Sequence, residues 1–222
     1  MTISGFYTSV DRFGNSLLYR GYNDKGERVT ERVRYKPTLY LKAKTTDTKW
    51  KALDGTPVEP MKFGSMAEVK QFEKTYADVP SFKIYGNTRH IPAFIQSEFP
   101  RDIQYNRSII DVASLDIETS YGTGFPEVDN PVNEILTIAY KSSKDDTYRV
   151  WGVKPYDETR TQLEGLKIDY RQYTAESSML EAFIDFWARE ENAPDVITGW
   201  NTRFFDIPYM VSHMAFLLGE DK

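Results

Sequence analysis

The run "IIDVASLDIE" at residues 109–118 constrains the fold more than any other stretch of the chain. It is apolar and rich in β-branched residues, so it reads as a strand. Side chains at i and i+2 share one face of a strand. Leu115 and Ile117 therefore face a core, while Asp116 and Glu118 project together from the other side. Two carboxylates this close repel unless a cation or a proton lies between them. Taken alone, D-x-E also fits a solvated edge, and other stretches must discriminate.

Composition narrows the cation. The chain has no cysteine and only two histidines, His90 and His213, far apart in sequence. Disulfides, thiolate nucleophiles and cysteine-ligated zinc are excluded, and a Ser-His-Asp triad or a histidine-rich metal site is not expected. A metal here would take oxygen ligands and would be hard, Mg2+ or Mn2+. The lack of cysteine also fits a reducing compartment. No apolar run is long enough to span a membrane. The opening "MTISGFYTSV" lacks a basic segment followed by an apolar one, so neither a transmembrane helix nor a signal peptide is expected.

The charge is unevenly spread. Residues 1–108 carry 18 Lys/Arg and 12 Asp/Glu, a net of +6; residues 109–222 carry 10 and 21, a net of −11. A basic half joined to an acidic half suggests two modules with different partners. The boundary is expected near Arg107, giving a β-rich domain at 1–108 and a second domain at 109–222.

In the first half, "GFYTSV", "SLLYRGY", "ERVTERVRY" and "PTLYLKA" read as strands of an antiparallel meander. Gly14-Asn15, Asp24-Lys25-Gly26 and Pro37 separate them. Ser65 and Glu68 have capping-box spacing before a helix with Val69, Phe72 and Tyr76 on one face. "NTRHIPAFIQSEFPRD" reads as a short helix and connector. In the second half the expected order is strand, strand, strand, helix, strand, helix. "NEILTIAYKSS" and "TYRVWGV" should form a hairpin. "TAESSMLEAFIDFWAREE" should be a helix capped by Thr174, burying Met179, Phe183, Phe186 and Trp187. "DVITGW" is a short strand. "DIPYMVSHMAFLLG" is a last helix with a stripe of Ile207, Met210, Val211, Met214, Ala215 and Leu218, Pro208 in its first turn and Gly219 closing it. His213 falls off that stripe and is expected in solvent.

Asp206 follows a buried strand and opens that last helix. Locally it reads as a helix N-cap. A carboxylate at such a junction can also reach a neighbouring strand, so both roles stay open.

Two stretches together resemble a known family. "LDIETSYGTGFPE" resembles the first exonuclease motif, D-x-E, of family B DNA polymerases. "TGWNTRFFDIPY" resembles the second, N-x(2–3)-[FY]-D. Over nearly all 222 residues the chain is similar to the amino-terminal part of the replicative polymerases of T-even-type phages. The resemblance implies an α/β (α+β) chain: a β-rich amino-terminal domain, then an RNase H-like exonuclease domain with the carboxylates at the centre of a mixed sheet and helices on its faces. It implies that Asp116, Glu118 and Asp206 are the catalytic metal ligands of a two-metal Mg2+ or Mn2+ site. Asn201 would orient carboxylates or nucleotide, and Phe125 would stack on a base. Trp200 is expected to pack beneath the site. The implied reaction hydrolyses the 3′-terminal phosphodiester of single-stranded DNA, as proofreading, in the cytoplasm of an infected bacterium.

The family's third motif, Y-x3-D, belongs downstream of Asp206. The only such pattern here is Tyr7 to Asp11, in a predicted hairpin before the first motif. The chain runs 16 residues past Asp206. The exonuclease domain is therefore expected to be incomplete at its C-terminal end, little active by itself, and prone to self-association through uncovered apolar surface. A second polypeptide carrying the rest of the polymerase could complete it. The alternative reading is a non-catalytic nucleic-acid-binding module, with RNA bound by the basic, aromatic amino-terminal half.

Overall fold

The computed structural model describes residues 5–122, 124–160 and 165–219. The chain divides into two compact units, Met1–Arg107 and Ser108–Lys222.

The first unit is β-rich. Strands β1 (Phe6–Phe13), β2 (Ser16–Tyr22) and β3 (Arg28–Val33) form an antiparallel meander. Gly14 makes the first reversal at φ +59°, a conformation that glycine adopts without a Cβ penalty. The expected fourth strand, β4 (Thr38–Lys42), does not join this meander. It pairs instead with β6 (Pro57–Lys62) and β7 (Ile84–Tyr85), and β5 (Trp50–Lys51) completes the second sheet. Pro37 marks the break: it has no N–H to continue a ladder, and its carbonyl accepts from Phe63 N at 2.9 Å. Helix α1 (Met66–Tyr76) is capped by the Ser65 hydroxyl, which accepts from Glu68 N at 3.2 Å. The Glu68 carboxylate reaches back one residue further than a standard capping box, to Gly64 N at 2.9 Å. With α2 (His90–Glu98), these elements bury Leu17, Tyr19, Met66 and Phe94 in one cluster, and Leu39, Phe63 and Val69 in another.

The second unit is built on a mixed five-stranded sheet. It holds β8 (Val112–Thr119), β9 (Ile135–Ser142), β10 (Thr147–Gly152), β11 (Lys167–Gln172) and β12 (Val196–Thr198), in the order β11-β10-β9-β8-β12. The β9–β10 hairpin is antiparallel as expected. The edge strand β11, parallel to β10, was not expected. Its sequence "KIDYRQ" interleaves charges with only two apolar residues, and none of the six is fully buried, so its hydrophobic signal is faint.

Along β8 burial alternates. Ala113, Leu115 and Ile117 are buried, while Ser114, Asp116 and Glu118 are exposed. The buried face continues through Ile138, Tyr140 and Trp151, and it meets Met179, Leu180 and Phe183 of α3 (Glu176–Trp187) and Tyr209 and Met210 of α4 (Asp206–Leu218). Helices were expected on both faces. Both α3 and α4 pack into this single cluster, and the carboxylates of β8 lie on the other side.

Helix α3 starts one residue later than expected. Ala175 occupies the cap position, without a side-chain hydrogen bond, and Thr174 does not cap. Ile207, Met210, Met214 and Leu218 of the expected α4 stripe pack into the core, but the buried face extends past that stripe to polar residues. Val211 is 60% exposed, whereas Asp206, Tyr209 and His213 are buried beside Met210. Periodicity counts only apolar residues, and this helix buries polar side chains that find partners inside.

Candidate active site

Strand β12 pairs with β8 only through Val196–Val112, Ile197–Ala113 and Thr198–Ser114. Beyond Ser114 that edge of β8 would present unpaired backbone groups inside the protein, at a cost unless something else bonds them. The segment after β12 supplies the partners. The Thr202 hydroxyl donates to the Leu115 carbonyl at 3.4 Å. Asp206 Oδ1 accepts from Ile117 N at 3.3 Å. A loop and a helix start thus continue the ladder where the strand stops. Gly199 permits the approach, because a Cβ there would collide with Thr202 Oγ1 and the Leu115 carbonyl.

This geometry decides between the two readings of Asp206. It is the first residue of α4, not its cap: Phe205 takes the cap position and no side chain caps the helix. The carboxylate is spent on β8. It is 3% exposed, and its second oxygen, Oδ2, has no hydrogen-bond partner. Burial raises its pKa, the negative charge of Asp116 adds to the rise, and hydrogen bonds from Ile117 N and its own N–H oppose it. The structure therefore brings Asp116 and Asp206 into electrostatic range of each other. Glu118 shares the open side of β8 with Asp116. Among the described residues, no three His, Asp or Glu side chains gather closely enough to cage an ion. A buried carboxylate oxygen without a donor, next to a second carboxylate, fits a hard cation or a shared proton.

The other expected site residues fall around this pair. Asn201 adopts φ +61° and is exposed. Its carbonyl accepts from Phe204 N and Phe205 N, both at 2.9 Å, which fixes the turn into α4. Phe125 is 73% exposed, with its ring 6.3 Å from that of Phe205, while the adjacent Pro126 is buried. Trp200, expected beneath the site, is instead 93% exposed. Thr202 and Phe205 of the same turn take the inward positions instead. His213, expected in solvent, is buried. Its Nδ1–H donates to the Pro131 carbonyl at 2.7 Å, and Nε2 lies 2.6 Å from Glu176 Oε1. Tyr7 and Asp11 lie on β1 of the first unit, where Asp11 pairs with Arg20 at 3.7 Å.

Sequence reasoning passed over a set of supporting residues. Asn133 is buried and donates from Nδ2 to the carbonyls of Ser120 at 2.8 Å and Gly124 at 3.2 Å, next to Phe125. Tyr209 of α4 donates to the Asn133 carbonyl at 2.7 Å. Glu176 Oε1 also accepts from Ile135 N at 2.6 Å. The Phe125 loop, β9, α3 and α4 are tied together through these groups. The one signal for them was polar side chains at core-facing positions of elements that otherwise read as apolar.

Comparison with known proteins gives a consistent result. The family model for the DNA polymerase family B exonuclease domain matches residues 47–218. The chain is 28% identical over 235 aligned residues to the DNA-directed DNA polymerase of Enterobacteria phage T4. It is 27% identical over 237 to that of Escherichia phage RB69. Each alignment covers 97% of this chain and 26% of the relative, so the chain spans about a quarter of the length of these polymerases. The family B DNA polymerase of the archaeon Pyrobaculum calidifontis shares its fold, with a TM-score of 0.62 at 17% identity over 98% of this chain and 32% of that one.

Proposed function

This chain belongs to the exonuclease-domain family of the family B DNA polymerases, and on that premise we propose that it is the amino-terminal part of a phage replicative polymerase, with residues 108–222 as its 3′–5′ proofreading exonuclease. The observation that supports this most is the buried, half-unpartnered carboxylate of Asp206 beside Asp116. Carboxylates perturbed by burial and by a like charge cluster at functional sites.

Asp116 and Asp206 would hold Mg2+ or Mn2+, with Glu118 as a further ligand. The bound ion would supply positive charge to the scissile phosphate and would lower the pKa of a coordinated water. The rest of the work falls to the chain. Asp206 is held in place by the Ile117 N–H, so the carboxylates are positioned before substrate arrives. The ring of Phe125 is exposed and free to stack on the terminal base. Asn201, exposed on the turn into α4, would orient the nucleotide. A paired 3′ end would have to unstack before entering, which selects frayed, single-stranded DNA.

The 222 residues carry two of the family's three motifs. We propose that alone they hold the ion weakly and hydrolyse slowly, and that a polypeptide bearing the third motif restores the rate. The test is manganese-dependent release of nucleotides from a 3′-labelled single-stranded oligonucleotide. Little release is expected from the chain as given, and much more in the presence of the downstream part of the polymerase. Asp116→Ala should abolish all of it. Rapid release by the Asp116→Ala variant would remove the assignment.

A second reading concerns the first unit. Arg12, Phe13 and Arg32 are exposed on its meander, with the Arg32 guanidinium 4.8 Å over the Phe13 ring. A cation beside an open aromatic ring suits single-stranded RNA. Binding of an RNA oligonucleotide should weaken steeply with salt, and an Arg12→Ala/Arg32→Ala variant should show a shallower salt slope. An unchanged slope would count against RNA binding there.

A further inference from the structure

Strands β8 and β9 are antiparallel neighbours, and a turn of about two residues can join such a pair. The chain instead spends residues 120–134 on the connection, and it holds that connection from inside. Connections this long are uncommon unless they serve a function. Asn133 is 3% exposed, and its Nδ2 donates to two carbonyls: Ser120 at 2.8 Å, where the chain leaves β8, and Gly124 at 3.2 Å, beside Phe125. The stretch leading into β9 is held in turn at every second residue. The Pro131 carbonyl accepts from His213 Nδ1 at 2.7 Å, the Asn133 carbonyl accepts from the Tyr209 hydroxyl at 2.7 Å, and Ile135 N donates to Glu176 Oε1 at 2.6 Å. Helices α3 and α4 thus fix the backbone around Asn133, and the Asn133 amide fixes the residue before Phe125. The residue after it, Pro126, is buried. The Phe125 ring is 73% exposed between two anchored neighbours. Its exposure comes from a held backbone, not from a slack loop.

We propose that Asn133 is a positioning residue for the reaction, supported by Tyr209, and that it sets the place of Phe125 before substrate arrives. The inference rests on the exonuclease reading above and names what prepares that site. Both side chains are buried, so they act through Phe125 and do not touch the strand. A ring on a loose loop would have to be ordered by each incoming base, and ordering the backbone of one residue weakens binding by about fivefold to thirtyfold. The buried amide orders that backbone during folding. A buried amide costs stability unless its hydrogen bonds are made, and this one directs its donors to the carbonyls that frame the approach to Phe125. Tyr209 adds a second constraint. It lies one turn along the helix that Asp206 opens. One helix therefore holds both a carboxylate of the site and the loop that carries the ring. A terminal base and its phosphate are covalently joined, so the ring and the carboxylates must keep a fixed register for both to engage one nucleotide.

The chain has no cysteine, so Phe125→Cys accepts a single nitroxide label in the full chain. The electron paramagnetic resonance line shape of that label reports the motion of position 125 without reference to catalysis. The label should be slow in the otherwise unchanged chain and faster when Asn133→Ala or Tyr209→Phe is added. Tyr209→Phe removes only a hydroxyl, and melting temperatures show which variants fold. The second arm is hydrolysis of a 3′-labelled single-stranded oligonucleotide at subsaturating concentration, with the downstream part of the polymerase present. Asn133→Ala should lower kcat/KM by about fivefold to thirtyfold. In a Phe125→Ala background the same change should have no further effect, because it acts through that ring. A label that stays slow in both variants would overturn the inference, and so would an equal loss of rate with and without Phe125. In either case Asp116-dependent hydrolysis would leave the exonuclease reading standing. If no assembly shows Asp116-dependent hydrolysis, that reading falls and takes the role of Asn133 in the reaction with it, even where the label responds.

Discussion

At the scale of single residues, Asp206 sets function against stability. Its folded pKa is raised, chiefly by burial. A group shifted upward favours the fold fully below its unfolded value, about 3.9 for Asp, and that favour is lost as pH rises through the folded value. Above that window the carboxyl no longer favours the fold. Asp206→Asn keeps an oxygen for Ile117 N and removes the charge. It should raise the melting temperature at pH 7 in EDTA by several degrees, on the order of what 1 kcal/mol does in a domain this size. Millimolar Mn2+ should raise the melting temperature of the parent slightly and leave that of Asp206→Asn unchanged, because only the parent's folded state offers both carboxylates to the ion. A variant that melts lower than the parent in EDTA would mean that the carboxylate is structural. The sequence made Asp206 conspicuous through its motif and its place before an amphipathic helix. It could not say that the side chain bonds β8, since that bond spans 89 residues of chain.

At the scale of elements, α4 is aligned by polar contacts as well as by its apolar stripe. His213 is tied to Pro131 and Glu176, and Glu176 is tied in turn to the start of β9. Burial lowers the His213 pKa. The hydrogen bonds to Glu176 and Pro131 and the charges of Glu176 and Glu134 outweigh it, and the net shift is upward. The stability from this contact is therefore full below the unfolded imidazole value, about 6.5, and is lost as pH rises through the higher folded value. The melting temperature of the parent should exceed that of His213→Gln most at pH 6, and the gap should narrow toward pH 9. A gap independent of pH would mean that the imidazole acts through packing alone, for instance against Tyr209, whose ring it stacks on at 5.8 Å. The helices and central strands were legible because their signals are local: alternation in β8, apolar spacing in α3, turn residues between β9 and β10. The burial of Tyr209 and His213 on α4 and the edge strand β11 were not. The first depends on which polar side chains find buried partners, which spacing does not encode, and the second carries too few apolar residues to show a period.

At the scale of the whole molecule, each of the two units has a core of its own. Leu17 is fully buried in the first and Leu180 in the second, each among apolar neighbours from its own unit. The charge change along the sequence falls at the same place, since Ser108 carries no charge and the first unit keeps the +6 of residues 1–108. Two cores without shared residues should melt as two cooperative transitions. Replacing a buried leucine by alanine costs about 2–5 kcal/mol, which in a domain of this size moves a transition by roughly 8 °C or more. In differential scanning calorimetry, Leu17→Ala should lower one transition and Leu180→Ala the other. Mn2+ should move only the transition that Leu180→Ala lowers, because Asp116 and Asp206 belong to that unit. If either leucine variant moved both transitions together, the units would fold as one body, and the carboxylate site would draw stability from the first unit as well as the second.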